Sequence, residues 1–197
     1  MLGGEQNAID DANYPYLPAL AQLMRDFAEA DKAVLGICLG AQILARAYGA
    51  ENHLNAGLEF GWHAVSKSED GQADPLLCDL GADFTTFQWH NDTFTLPEGA
   101  TRLAVSGLAQ NQAFRIGRAG YGTQFHFEAS ASVIDSWKGE FAVAIDQMEP
   151  GWHERYAALA AAHASASDAS GLAISRNWVR LIRTEASSQP KGAVAGR

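Results

Sequence analysis

The sequence predicts a doubly wound α/β fold, with a mostly parallel sheet and helices on both faces. Two observations carry this expectation. Around residue 35 an amphipathic helical pattern, a short apolar run and a second helical pattern follow one another, the order of a helix–strand–helix unit. Further on, five short strand-like runs give way to helical segments that reach almost to the C-terminus. The 197 residues, 47% hydrophobic and 19% charged, suit one globular domain with a substantial core.

Residues 14–32, YPYLPALAQLMRDFAEADK, place Leu17, Leu20, Leu23, Met24 and Phe27 at three-to-four spacing, with Pro18 tolerated in the first turn. AVLGIC (33–38) reads as a buried parallel strand. AQILARAYG (41–49) has Ile43, Leu44, Ala47 and Tyr48 at helical spacing and Gly49 as its stop. Residues 57–69, 84–88, 101–106, 112–117 and 121–127 read as shorter strands, and helical pattern resumes at 130–148, 153–167 and 174–184. The expected organisation is one domain over 1–185, with a core at 2–130, C-terminal helices at 130–185 and a disordered tail at 186–197 that lacks large apolar residues. MLGG, at 1–4, reads as the last residues of a strand entering a glycine turn. A doubly wound sheet starts with a complete βαβ unit, so an N-terminal βαβ portion is expected to be missing.

A net charge of −9 without a Lys/Arg cluster argues against a nucleic-acid partner. No apolar run approaches the roughly 20 residues that span a bilayer, and no signal peptide is expected, because the N-terminus has no basic region followed by an apolar stretch. Two cysteines, Cys38 and Cys78, fit a reducing compartment, so the expected location is cytoplasmic. Neither a dinucleotide fingerprint nor a phosphate loop occurs, and no His/Cys/Asp spacing suggests a metal; no cofactor is expected.

The chemistry-bearing stretch is Gly36-Ile37-Cys38-Leu39-Gly40, a G-x-C-x-G pattern between strand and helix. It fits a nucleophile elbow, in which a sharp turn presents the thiol at a helix N-terminus that favours the thiolate. The Leu39 N–H then stands ready to donate to an oxyanion. Alone the five-residue pattern is weak, and a tight turn with Cys38 as buried filler accounts for it better. A nucleophilic cysteine needs a base and the base an orienter. In YGTQFHFEAS (121–130), His126 and Glu128 project to one side of an extended segment, and Phe125 and Phe127 to the other. On its own that pair reads as a solvated strand-end contact; together with Cys38 it completes a triad. Cys78 has no acid–base partner nearby and reads as a packing residue or inert thiol. The aromatic residues Trp137, Phe141, Trp152, Tyr156 and Trp178 read as core packing or an intersubunit contact.

These residues resemble the class I glutamine amidotransferases, in particular the stand-alone group similar to the glutaminase domain of GMP synthase. LGG (2–4), GICLGAQILARAYG (36–49), QWHNDTF (88–94) and GTQFHFE (122–128) carry the resemblance in the family's order, and GLEFGWHAV (57–65) adds to it. It implies a flavodoxin-like fold and attack of Cys38 on the side-chain amide of glutamine, releasing ammonia and leaving a γ-glutamyl thioester for water to hydrolyse. It further implies His126 as acid and base, Glu128 as its orienter, and an oxyanion hole from the backbone of Leu39 and the Gly3-Gly4 turn, Gly4 above all. Gln42, His90 and Asp92 are implied as substrate-binding residues. The chain departs from the family pattern at Glu5 and Phe127, where proline is common, and at Asn91, where glycine is usual. A γ-glutamyl peptide or other amide as substrate, and an inactive binding or regulatory homologue, remain alternatives on the same residues. The partners implied are glutamine or a γ-glutamyl compound, a separate polypeptide that acts as acceptor or synthetase, and a second copy in a homodimer.

Overall fold

The structure, a computed structural model, describes residues 1–188, with side chains of the last helix through Arg183. The chain opens with α1 (Leu17–Glu29), β1 (Val34–Ile37) and α2 (Leu39–Ala47), then the two-residue β2 (Asn52–His53), β3 (Glu59–Lys67) and α3 (Glu69–Ala73). β4 (Asp83–His90), the short β5 (Thr93–Phe94), β6 (Thr101–Val105), β7 (Ala113–Ile116) and β8 (Gly120–Thr123) follow. Three helices close it: α4 (Ala131–Glu140), α5 (Ala142–Met148) and α6 (Trp152–Ser188). The segment expected to be a disordered tail lies, from residue 189 on, outside the described residues.

Six strands form one sheet in the order β1-β8-β7-β6-β3-β4, and β2 pairs with β5 beside it. The sheet is mixed, which corrects the mostly parallel expectation: β1–β8 is parallel and the other four pairings are antiparallel. The reason lies in the connections. Only residues 117–119 join β7 to β8, and so short a link returns the chain antiparallel. A parallel neighbour needs a long crossover, which only the excursion from β1 to β8 supplies.

Helices do cover both faces. Val34 and Phe114 pack with Leu17, Met24, Ile43 and Leu44 of α1 and α2. Side chains from the other face, Ile37, Val65, Leu103 and Tyr121, pack with Ile174 of α6. A third cluster fastens α4, α5 and α6 to β3 and β4 through Phe60, Trp62, Phe87, Ile134, Ile145 and Trp152. In α1, Leu17, Ala21 and Met24 are buried, whereas Leu23 and Phe27 of the expected apolar stripe face outward. α6 runs unbroken where the sequence suggested two helices. Gly171 lets this helix lie close against the Phe127 carbonyl, with which a Cβ would collide. At the outer edge of β1, Met1 donates its ammonium to the Leu35 carbonyl at 2.8 Å and accepts from the Ile37 N–H at 2.9 Å.

Candidate active site

β1 ends at Ile37 and α2 begins at Leu39, so Cys38 alone makes the turn. It does so at φ 52° and ψ −109°, backbone angles that strain any residue with a side chain. Two sets of bonds hold it there. Its N–H donates to Thr123 O at 2.7 Å, and its carbonyl accepts from the N–H groups of Ala41 and Gln42. The flanking glycines follow from the same crowding: a Cβ on Gly36 would run into the Gly40 carbonyl, and one on Gly40 into the Met1 carbonyl. The Cys38 side chain is buried at the N-terminus of α2, with Sγ 3.7 Å from Trp89 O. It thus stands at the positive end of the α2 dipole.

β8 stops at Thr123, short of the expected 127, and residues 124–128 leave the ladder. His126 is fixed instead by β4, donating its N–H to Phe87 O at 2.8 Å across an isolated antiparallel bridge. Phe125 and Phe127 are buried, and His126 and Glu128 turn the other way, as the alternation predicts. His126 Nδ1 lies 2.7 Å from Glu128 Oε1, and the Trp137 ring meets the imidazole edge to face at 5.7 Å between centroids. Burial pulls the His126 pKa down. The charge and hydrogen bond of Cys38, joined by those of Glu128, outweigh it and raise the pKa from 6.5 to about 10. A charged imidazole oriented by a carboxylate beside a thiol is an acid already loaded.

Cys38, His126 and Glu128 open into one cavity of about 610 Å³. Gly3, Gly4 and Leu39 also line it. Gly3 sits so close that a Cβ would lie 2.9 Å from His126 Cε1 and 3.4 Å from Cys38 Cβ. The loop that follows is tied down by Arg46, which donates to both carboxylate oxygens of Asp11 (2.7 and 2.6 Å) and to Ala8 O (2.7 Å). Gln42 reaches the cavity, but its Nε2 donates to Gln124 Oε1 at 3.2 Å and to Asp92 O at 3.4 Å. Asp92 accepts the Asn55 N–H at Oδ1, 2.9 Å away.

His90 also reaches the cavity wall, yet both ring nitrogens are taken by the protein. Nδ1 lies 3.0 Å from Asp92 O and Nε2 3.1 Å from Glu59 Oε2. Burial pushes the Glu59 carboxyl up, but hydrogen bonds to His90 and Ser106 and the charges of His90 and His63 hold it below its ordinary value. Gln112 donates to Glu59 Oε2 as well and accepts from Gln88 at 3.0 Å. This network was not foreseen from the sequence. Its one signal was Glu59, a charged residue set in the apolar strand run that follows it; Gln88 and Gln112 gave none. Nor was it foreseen that Trp137 and Phe141 line the cavity, since their spacing suits core packing equally well. Cys78 is exposed, not packed. Among the described residues no group of three or more His, Cys, Asp or Glu could hold a metal ion, and no helix is long and apolar enough to cross a membrane.

Known proteins share this arrangement of chain. Residues 12–137 match the glutamine amidotransferase class-I family. The chain is 32% identical over 123 residues to the glutamine amidotransferase-like protein YfeJ of Salmonella typhimurium, covering 61% of this chain and 52% of that one. It is 38% identical over 104 residues to one of the subunits of the glutamine-hydrolysing GMP synthase of Methanosarcina acetivorans, covering 52% and 53%. The chain thus spans about half the length of these curated relatives. Among solved structures, a glutamine amidotransferase from Thermotoga maritima superposes with a TM-score of 0.78 at 30% identity, covering 91% of this chain and 75% of that one. With the family match extending over most of the chain, the protein belongs to the class-I glutamine amidotransferases.

Proposed function

We propose that the chain hydrolyses the side-chain amide of glutamine through Cys38, His126 and Glu128. Cys38 Sγ attacks the amide carbon, and the N–H groups of Leu39 and Gly4 receive the charge that develops on the carbonyl oxygen. His126, held by Glu128, gives its proton to the departing nitrogen, the C–N bond breaks, and ammonia leaves a γ-glutamyl thioester. Water, deprotonated by the same imidazole, then releases glutamate and the free thiol. Gln42 and Asp92 bound the end of the cavity that takes the amino-acid head. His90, with both nitrogens engaged, positions the Trp89–Asp92 wall rather than binding substrate itself.

The observation that carries the reading is the 2.7 Å contact between His126 and Glu128 in the cavity that the strained, helix-capping Cys38 also enters. One relative is named as a GMP synthase subunit, which supports a separate partner that would use the ammonia. We take residues 1–185 as a single domain of cytoplasmic type. Ammonia and glutamate release from glutamine tests the proposal: wild type turns over, and Cys38→Ala falls to background. Equal release by both would refute it.

A further inference from the structure

The cavity has two kinds of lining. Glu5, Gln6, Gln42 and Asp92 supply polar groups, with the Gln42 amide donating to Asp92 O. Trp89, Trp137, Phe141 and Met148 present an apolar wall, and each of these side chains is only part-buried. The wall is a built surface. Trp89 packs edge to face against both Trp137 (5.4 Å) and Phe141 (5.6 Å), so the three rings hold one another in place. Trp137 in turn touches the His126 ring.

An ammonia leaving group gives such a wall nothing to bind. The nitrogen that departs must receive its proton from His126, so any group attached to it lies beside the imidazole, whose ring Trp137 touches and whose neighbour Trp89 joins Trp137 to Phe141. Apolar surface left facing water is unfavourable, and covering it favours binding. The polar groups, by contrast, suit the charged amino-acid head of a glutamyl group.

Resting on the proposed thiol hydrolysis, we infer that the preferred substrate is a γ-glutamyl amide whose nitrogen carries an apolar, aromatic-sized substituent. Trp89, Trp137, Phe141 and Met148 form the leaving-group subsite. Attack by Cys38 forms the C–S bond and breaks C–N. The His126 proton goes to the amine, which leaves as R–NH2. Water then converts the thioester to glutamate, so the balance is amide plus water to acid plus amine.

Steady-state kinetics of the full chain on glutamine, γ-glutamyl ethylamide and γ-glutamyl phenethylamide test the inference. The expected kcat/KM rises at least tenfold from glutamine to the phenethylamide, with the ethylamide between them. Phe141→Asp is expected to lower the phenethylamide-to-glutamine ratio at least fivefold. Glutamine turned over as well as the phenethylamide would overturn the inference while leaving glutamine hydrolysis intact; that result is expected if the wall is instead the seat of a protein partner. A ratio unchanged in Phe141→Asp would also overturn it. No turnover of any of the three amides would instead refute the thiol-hydrolase reading on which the inference rests.

Discussion

Cys38 turns the chain and presents the sulfur with the same atoms, because its positive φ lets α2 start one residue after β1 ends. Its partner His126 is the most perturbed group of the site, raised to about 10 against its own burial by Cys38 and then Glu128. That value lies above the 6.5 of an unfolded histidine, so its contribution to stability is complete below about pH 6.5 and is lost as pH rises through about 10. Imidazole NMR of the wild type should therefore show His126 charged and not titrating between pH 6 and 8. In Cys38→Ala the titration should move down, since the strongest of the upward influences is gone; an unchanged midpoint would mean that the thiol is not what charges the ring. Glu128→Gln should lower kcat by about 10²-fold or more by releasing the ring from its orientation, with the fold intact by circular dichroism. The i, i+2 placement of His126 and Glu128 was legible from alternation alone. That His126 sits beyond the end of β8, pinned by Phe87, was not, because the bridge joins residues far apart in sequence.

The Trp89–Asp92 segment between β4 and β5 is where elements meet around the thiol. Trp89 O faces Sγ, Asp92 O receives the Gln42 amide, and His90 anchors both from behind through Glu59 of β3. Glu59 and His90 are almost fully buried, so removing one partner strands the other in a medium that cannot solvate it. Glu59→Ala should cost about 3–5 kcal/mol in denaturant unfolding at pH 7. Because the Glu59 carboxyl lies below its usual 4.5, the stability it confers is present above that pH and declines as pH falls further. A Glu59→Ala loss of less than about 1 kcal/mol would show the pair to be dispensable. Element types were mostly readable: the patterns over 57–69, 84–88, 101–106 and 112–117 correspond to β3, β4, β6 and β7. Their pairing was not, since the direction of each strand depends on link lengths that only register makes plain. The two-residue strands β2 and β5 are too short to leave a periodic signal.

Across the whole molecule, the C-terminal helices cover the β3–β4 edge of the sheet and bring Trp137 and Phe141 to the cavity. Trp152 is the anchor of that layer. It is buried at the start of α6 and contacts Phe60, Trp62, Phe87 and Tyr156. Trp152→Ala should cost about 3–5 kcal/mol in stability and raise KM more than it lowers kcat, because the wall shifts while the Cys38 turn stays in place. A kcat loss with KM unchanged would contradict that division. All of the proposed chemistry depends on Cys38 carrying the substrate covalently. Rapid acid quench during turnover of glutamine, followed by mass spectrometry of the peptide containing Cys38, tests this directly. One γ-glutamyl group on Cys38 is expected, accumulating when water attack is slowed in Glu128→Gln; turnover with Cys38 unmodified at every time point would contradict it.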